Sequence, residues 1–161
     1  ENAPWQQHTF YNPTDGSYDT RSGSRELDIS YGRGVSTQSH IMQRIHDAYS
    51  EYLTRSQLPW FNSWSGFSEV RFNRYEESRL MAEHCDHIHS MFDGKRKGIP
   101  TMTFLAALND EYTGGEFVMW GDEVIPMAKG SAIVFPSCFL YPHRVDPVIN
   151  GIRYSCVSWS W

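Results

Sequence analysis

The chain of 161 residues has little cysteine, no long apolar run and no excess of basic residues. Its three cysteines, Cys85, Cys138 and Cys156, are widely spaced and fit neither a disulfide framework nor a paired-cysteine zinc knuckle. The longest apolar runs, such as residues 132–135, are far shorter than the roughly 20 residues of a membrane helix. A formal net charge of -5 argues against nucleic acid as a partner. We therefore expect a protein of the reducing cytoplasm with no membrane partner.

Aromatic residues are abundant, with 6 Trp, 9 Tyr and 9 Phe, and apolar residues make up 40% of the chain. This composition can fill a packed interior, and the length suits one domain. We expect a single domain over residues 1–161, in which residues 1–65 form a supporting segment and residues 66–161 form the core. The chain begins at Glu1 and shows no signal-peptide pattern, so a targeting segment before Glu1, and with it secretion, is left open.

The sequence pattern predicts one helix followed by about eight strands. Residues 1–35 are rich in turn-forming residues and indicate loop with one or two short strands. Ser36 or Thr37 can cap a helix whose apolar residues recur every three or four positions as far as about Arg55. The later strands are predicted at residues 66–74, 79–87, 101–108, 116–120, 123–126, 131–135, 141–145 and 153–159. Short strands joined by turns favour a mainly β jelly roll with one or two supporting helices near the N-terminus.

The residue types around His84 indicate a metal site. In a strand, His84 and Asp86 project to the same face, because side chains alternate between faces. His143, from a later strand, is the natural third ligand. Two histidines and one carboxylate on one face of a metal leave the opposite positions free, an arrangement associated with non-haem Fe(II) oxygenases. Open positions indicate catalysis rather than a structural metal.

A basic side chain that could bind an anion follows the third candidate ligand. Arg153 lies ten residues beyond His143, and Ser155 faces the same side of the same predicted strand. A guanidinium beside a hydroxyl binds a carboxylate well. The pair is therefore interpreted as an anion receptor at the bottom of a pocket.

Together these motifs resemble those of the 2-oxoglutarate and Fe(II)-dependent dioxygenases of the prolyl 4-hydroxylase type. The resemblance rests on the His84-x-Asp86 triplet and on the run from His143 to Ser155. Further segments that resemble the family are residues 108–110, 114–116, 129–132 and 135–136. The resemblance covers about residues 67–161 and, more loosely, residues 21–55. It implies a double-stranded β-helix, or jelly roll, of the small microbial or viral type, working in the cytoplasm of a microbial or virus-infected cell.

The resemblance also implies roles for individual residues. His84, Asp86 and His143 would bind Fe(II), and Arg153, assisted by Ser155, would bind the distal carboxylate of 2-oxoglutarate. Fe(II), 2-oxoglutarate and O2 are the implied cofactor and cosubstrates, with ascorbate as a reductant. The implied reaction is hydroxylation of an unactivated C–H bond, with prolyl 4-hydroxylation of a proline-containing peptide or protein as the expected case and release of succinate and CO2.

Three positions have weaker implied roles. Tyr75 stands where the family places a tyrosine that hydrogen-bonds the cosubstrate, and an ordinary cross-strand aromatic is the alternative. Trp159 matches a position near the peptide groove, and a core tryptophan is the alternative. Met81 stands where prolyl hydroxylases often carry a substrate-contacting tyrosine. Phe117, where several have threonine, is a second departure from the family pattern.

Other functions stay open at this point. A zinc protein could use His87 or His89 as a fourth ligand, although strand alternation directs both away from His84. A catalytically silent jelly-roll domain could bind a sugar or peptide through its aromatic residues. Among enzymes, the alternative substrates are another amino-acid side chain, a free amino acid or a different small molecule. The loop at residues 94–98 is interpreted as solvated, with a mobile lid over the substrate as the alternative.

Overall fold

The computed structural model describes residues 4–11, 15, 17–19, 25–61, 64–86 and 100–161. These residues contain fourteen short strands and one helix. In chain order they are β1 (Gln6–Gln7), β2 (Phe10–Tyr11), β3 (Tyr18–Asp19), β4 (Asp28–Tyr31), α1 (Gln38–Ser56), β5 (Arg71–Tyr75), β6 (Met81–His84), β7 (Met102–Ala107), β8 (Tyr112–Gly114), β9 (Phe117–Met119), β10 (Glu123–Ile125), β11 (Ala132–Pro136), β12 (His143–Val145), β13 (Val148–Gly151) and β14 (Arg153–Ser160).

Two antiparallel sheets dominate the structure. The larger has six strands in the order β1-β4-β5-β14-β7-β11, and the smaller has four in the order β10-β9-β12-β6. Two-stranded ladders join β13 to β8 and β2 to β3. Strand β14 is an inner strand of the larger sheet: its residues 153–157 pair with β5 on one side, and its residues 155–160 pair with β7 on the other. The mainly β class expected from the sequence is therefore present.

The two larger sheets enclose one apolar core. Leu105 and Val157 of the larger sheet share a buried cluster with Met81, Phe117 and Val145 of the smaller one. Because alternate residues of β14 face this core, every second position from Arg153 to Trp159 points towards the smaller sheet. The polar residues among them are therefore held inside the fold.

Helix α1 packs on the outer face of the larger sheet. Tyr49 and Ile45 are each 1% exposed, and the Tyr49 hydroxyl lies 3.2 Å from the carbonyl oxygens of both Met102 and Ser158. Gln57, just after the helix, is a left-handed residue whose N–H donates to the Leu53 carbonyl at 3.1 Å. The predicted helix is confirmed to within one residue at each end.

Some details of the predicted elements are wrong. Thr37 stands at the helix start but forms no side-chain capping hydrogen bond. The strand predicted at residues 79–87 ends at His84, and the one predicted at 66–74 begins only at Arg71. The strand β13 was missed because Asn150-Gly151, a typical turn pair, lies inside it; Gly151 there adopts a φ of 86°.

No helix in the described ranges is long and apolar enough to cross a membrane.

Candidate functional site

The two histidines of the candidate site are cross-strand neighbours. His143 of β12 is directly opposite His84 of β6, and their ring centroids are 4.4 Å apart. The His84 Nδ1 lies 2.8 Å from the Ala82 carbonyl, and the His143 Nδ1 lies 3.0 Å from the Tyr141 carbonyl. A carbonyl can only accept, so Nδ1 carries the proton in both rings. Each Nε2 is thereby left with a lone pair for a metal.

Asp86 brings a carboxylate to the two free ring nitrogens. Its Oδ1 lies 3.5 Å from the His84 Nε2 and 3.8 Å from the His143 Nε2. Its Oδ2 accepts a hydrogen bond from the Thr103 hydroxyl at 2.5 Å, and Thr103 in turn lies 2.8 Å from the Ser137 hydroxyl. The carboxylate is therefore oriented from the larger sheet, through a hydroxyl pair that is 1% exposed.

Asp86 does not share a strand with His84, so this part of the sequence prediction is wrong. Strand β6 ends at His84, and Asp86 lies beyond it in a bend. Alternation within a strand therefore does not explain why the two side chains meet. The bend directs Asp86 towards Thr103 on the opposite sheet, and the hydrogen bond between these two residues holds it there.

The protonation states in the site suit metal binding. Burial alone raises the pKa of Asp86, but interactions with the His84 and His143 rings and the hydrogen bond from Thr103 bring that pKa well below its ordinary value. Burial lowers the pKa of His143 below 6.5, with Asp86 opposing this shift. Near neutral pH the site therefore offers an ionised carboxylate and a neutral imidazole, the forms that bind metals.

The donor set fits Fe(II). The ligand atoms of His84, Asp86 and His143 all lie within 4.8 Å of one another. Two imidazole nitrogens and one carboxylate oxygen form the ligand set of non-haem Fe(II) centres with open positions. His87 and His89, the residues on which a tetrahedral zinc site would depend, lie outside the described residues, as does the loop at residues 94–98.

Arg153 is fully enclosed near the start of β14. It is 1% exposed, its guanidinium carbon lies 4.9 Å from the centre of the Tyr75 ring, and one nitrogen donates to the Ser155 hydroxyl at 3.2 Å. The other two guanidinium nitrogens, Nε and Nη2, are buried without a hydrogen-bond partner among the described residues. A buried cation with unused donors is costly unless an anion binds it, so these atoms fit a ligand carboxylate.

The backbone next to Arg153 is shaped around its side chain. Gly115 has a φ of +67°, and a Cβ added there would lie 3.1 Å from the Arg153 Cδ and 3.0 Å from the Val148 Cγ2. Only glycine adopts this φ without strain and leaves the space that the arginine side chain occupies.

A cavity between the two sheets brings most of the sequence-predicted residues together. His84, Asp86, His143, Tyr75, Met81 and Trp159 all line it. Ser155 is fully buried behind this wall and accepts a weak hydrogen bond from the Asn73 amide at 3.4 Å. Tyr75 is directly opposite Arg153 in the ladder, and burial is the main cause that raises the pKa of its phenol.

Sequence reasoning missed several residues of this cavity. Arg71 and Asn73 line it together with Tyr75, because all three face inwards from β5. Their alternation along the strand is the signal that could have identified them. Thr103 also lines the cavity, but its contact with Asp86 joins positions distant in sequence, and no local pattern marks it.

Comparisons with known proteins agree with this geometry. Residues 70–161 match the sequence profile of the family described as the 2OG-Fe(II) oxygenase superfamily. A PKHD-type hydroxylase of Delftia acidovorans is 36% identical over 97 residues, which cover 56% of this chain and 42% of that protein. The chain thus spans less than half the length of the curated relatives it matches.

Solved structures show the fold. The 2OG complex of the viral collagen prolyl hydroxylase from Paramecium bursaria Chlorella virus-1 superposes with a TM-score of 0.66 at 19% identity, covering 84% of this chain and 79% of that one. A Pseudomonas putida prolyl-4-hydroxylase superposes with a TM-score of 0.64 at 19% identity, covering 99% and 92%. These similarities confirm the double-stranded β-helix expected from the sequence.

Proposed function

Because the chain belongs to the 2OG-Fe(II) oxygenase superfamily, we propose that it binds Fe(II) through His84, Asp86 and His143 and hydroxylates an unactivated C–H bond of its substrate. The observation that supports this most directly is the convergence of the three ligand atoms within 4.8 Å inside a cavity. The Nδ1 hydrogen bonds of both histidines present Nε2 to the metal, and Thr103 orients the carboxylate.

Arg153 is the proposed binding group for the distal carboxylate of 2-oxoglutarate. Its two unpartnered nitrogens can donate to that carboxylate, while the third stays on Ser155. The Tyr75 ring packs against the guanidinium and lines the cavity, which supports the proposal that Tyr75 contacts the cosubstrate. Arg153 is buried behind Tyr75 of the cavity wall, and this division of roles uses its two unpaired donors.

The protein contributes orientation and exclusion of water, since the difficult chemistry belongs to the cofactor. When bound, Fe(II) and 2-oxoglutarate supply the activation of O2 and the release of succinate and CO2. Phe117 and Phe135 pack against the His143 ring at centroid distances of 5.6 and 5.1 Å and keep that side of the site apolar. Met81 and Trp159 line the same cavity, and their proposed role is to contact the substrate.

The proposed substrate is a prolyl residue of a peptide or protein. Support comes from the names of the related structures, both prolyl hydroxylases, which share the fold of this chain. Met81, in the position where these enzymes often carry tyrosine, leaves the substrate side of the cavity without a hydroxyl there. Another amino-acid side chain or a small molecule is the alternative substrate class.

The proposal is tested by following 2-oxoglutarate consumption and succinate formation with Fe(II), O2, and proline peptides or free amino acids. We expect turnover that a proline peptide stimulates and that His84→Ala abolishes. His40→Ala, on the exposed face of α1, is the matched control and should keep full activity. Turnover retained in His84→Ala would contradict the metal site, and activity on free proline but on no peptide would reverse the substrate order. Omission of ascorbate shows whether that reductant is needed.

A second measurement separates iron from zinc. Under argon, Fe(II) with 2-oxoglutarate should give a weak visible charge-transfer band, whereas Zn(II) gives none. In Arg153→Ala the band should need a much higher 2-oxoglutarate concentration, because the carboxylate loses a buried cationic partner. An unchanged half-saturation concentration would remove Arg153 from the cosubstrate site.

A further inference from the structure

A second arginine lies in the wall of the cavity, near the metal candidates. Arg71, on β5, lines the same cavity as His84 and Asp86, and it is partly buried. Its guanidinium carbon lies 4.8 Å from the centre of the Trp159 ring, a stacked cation–π arrangement. Its Nε donates to the Asn73 side-chain oxygen at 3.1 Å, and this hydrogen bond fixes the orientation of the guanidinium plane.

Arg71 has no carboxylate partner within the part of the chain that the structure describes. The neighbouring Arg74, on the opposite face of the same strand, is by contrast paired with Asp28 at 2.8 Å. Asp86 attracts Arg71 electrostatically but lies beyond ion-pair distance and is needed at the metal. Glu26, another buried carboxylate, does not line the cavity, and its Oε1 accepts from the Ala82 N–H at 3.3 Å.

The charges of the loaded cavity do not balance. A divalent metal, Arg71 in the cavity wall and Arg153 buried against Tyr75 together contribute four positive charges, against one negative charge on Asp86. 2-Oxoglutarate adds two negative charges, so one positive charge remains, and it is the guanidinium of Arg71 that no described group neutralises. Arginine stays protonated in proteins, and an unpaired cation in a desolvated pocket favours an anionic ligand.

A second donor lies beside it. The Trp159 Nε1 is buried and has no hydrogen-bond partner among the described residues. An indole N–H can only donate, so it favours an acceptor oxygen. Stacked on Arg71, Trp159 thus brings a second kind of donor to the same wall of the cavity.

We propose, building on the function proposed above, that Arg71 binds a carboxylate of the substrate and that Trp159 supports this contact, so that the enzyme prefers a substrate bearing a negative charge close to the hydroxylated carbon. The carboxylate has two sources: the α-carboxylate of a free amino acid, or the side chain of an acidic residue next to the target in a peptide.

The proposal is tested by calorimetric binding under argon to protein loaded with Fe(II) and 2-oxoglutarate. The probes are free proline, its neutral acetylated amide, a peptide with Asp after the proline, and the same peptide with Asn. We expect at least one carboxylate probe to bind about tenfold or more tightly than its neutral partner, because a charge-assisted hydrogen bond is lost in that partner. Preference for free proline or for the Asp peptide identifies the source.

Variants assign the preference to Arg71. Arg71→Leu should remove the difference between charged and neutral probes, Arg71→Lys should retain part of it, and Arg33→Leu, which removes a cation that is 86% exposed, should leave it unchanged. If Arg71→Leu does not fold, as judged by circular dichroism, the Arg71→Gln variant carries the same expectation.

Several outcomes would overturn the proposal. Equal binding of charged and neutral probes would do so, and so would the failure of every carboxylate probe to bind. A preference that survives in Arg71→Leu would do the same, and weaker 2-oxoglutarate binding in that variant would assign Arg71 to the cosubstrate instead. The charge-transfer band distinguishes the two proposals: if it forms, the oxygenase site stands whatever Arg71 does.

Discussion

At the scale of single residues, the candidate metal site depends on a hydroxyl that no motif marks. Thr103 donates to Asp86 from the opposite sheet, and Ser137 completes a buried chain of hydroxyls behind it. The candidate ligands are arranged around this contact, because Asp86 lies in a bend rather than in a strand. The position of the Asp86 carboxylate is therefore fixed by a residue outside the His84-x-Asp86 triplet.

We expect Thr103→Val to weaken metal binding by about 10- to 100-fold, since the carboxylate loses its orienting donor. Titration of the metal-free protein with Fe(II) or Mn(II), followed by calorimetry, measures the affinity. Thr113→Val, on the exposed face of β8, is the matched control and should bind as the unaltered chain does. Equal affinities in both variants would show that Asp86 needs no support from Thr103.

The sequence identified the candidate metal ligands better than it identified the residues that contact them or lie beside them in the cavity. His84, Asp86 and His143 belong to a recognisable pattern, and the structure brings them together; their metal-binding role stays a prediction. Thr103 and Arg71 act across strands, and only the folded register shows which distant side chains meet. A single sequence records such contacts in no local pattern.

At the scale of elements, the ladder between β8 and β13 shapes the wall around Arg153. Gly114 begins the tight connection to β9, and Gly115 leaves the volume that the Arg153 side chain fills. Asn109 adds a second tie, since its side chain accepts from the Tyr154 N–H and donates to the Ile152 carbonyl, both at 2.7 Å. The segment that resembled a family motif thus positions the start of β14.

We expect Gly115→Ala to raise the half-saturation concentration for 2-oxoglutarate, because the new methyl group displaces Arg153 and Val148. Gly121→Ala is the matched control: its φ of +89° brings the same backbone strain, but nothing lies within 4 Å of the added Cβ. Both variants should lose roughly 1 kcal/mol or more of stability from that strain, but only the first should alter cosubstrate binding. A similar change in both would separate Arg153 from the effect.

The helix and the long strands were predictable because each has its own period. Helix α1 carries an apolar stripe whose buried residues, Ile45 and Tyr49, pack on the sheet. Strand β14 carries core residues at alternate positions. Strands of two residues, such as β1 and β2, have no period to detect. They exist because β4 and β3 offer them hydrogen-bond partners, which is a tertiary effect.

At the scale of the whole molecule, a chain of negative net charge keeps two arginines at its interior cavity. The formal net charge is -5, yet Arg71 lines the cavity between the sheets, and Arg153 is buried against Tyr75, which lines it as well. Composition averages over the whole chain and therefore could not indicate this placement. The expected division into a supporting segment at residues 1–65 and a core at 66–161 stays a prediction.

The N-terminal segment makes folding sensitive to acid. Burial, together with the charges of Arg71 and His84, lowers the pKa of His8 from 6.5 to about 3. Between pH 6.5 and about 3, His8 is therefore protonated in the unfolded chain but neutral in the folded protein. The free energy of unfolding consequently falls as the pH drops below about 6.5. We expect His8→Gln to flatten the decline of the melting temperature between pH 6.5 and 4 in metal-free protein.

His40→Gln, which changes an exposed histidine of α1, is the matched control and should reproduce the decline of the unaltered chain. His143 adds to the same trend, because burial lowers its pKa as well. Some slope should therefore remain in His8→Gln. An identical slope in both variants would show that His8 does not contribute to the acid sensitivity.

The direct opposition of His84 and His143 across two strands has a practical consequence. The ladder between β6 and β12 fixes the backbone of both residues, and the Nδ1 of each ring lies within hydrogen-bond distance of a backbone carbonyl. The metal-free protein should therefore keep a preformed metal site. Adding metal would then need no refolding, and the ion that fills the site would depend on which ions the surrounding solution contains.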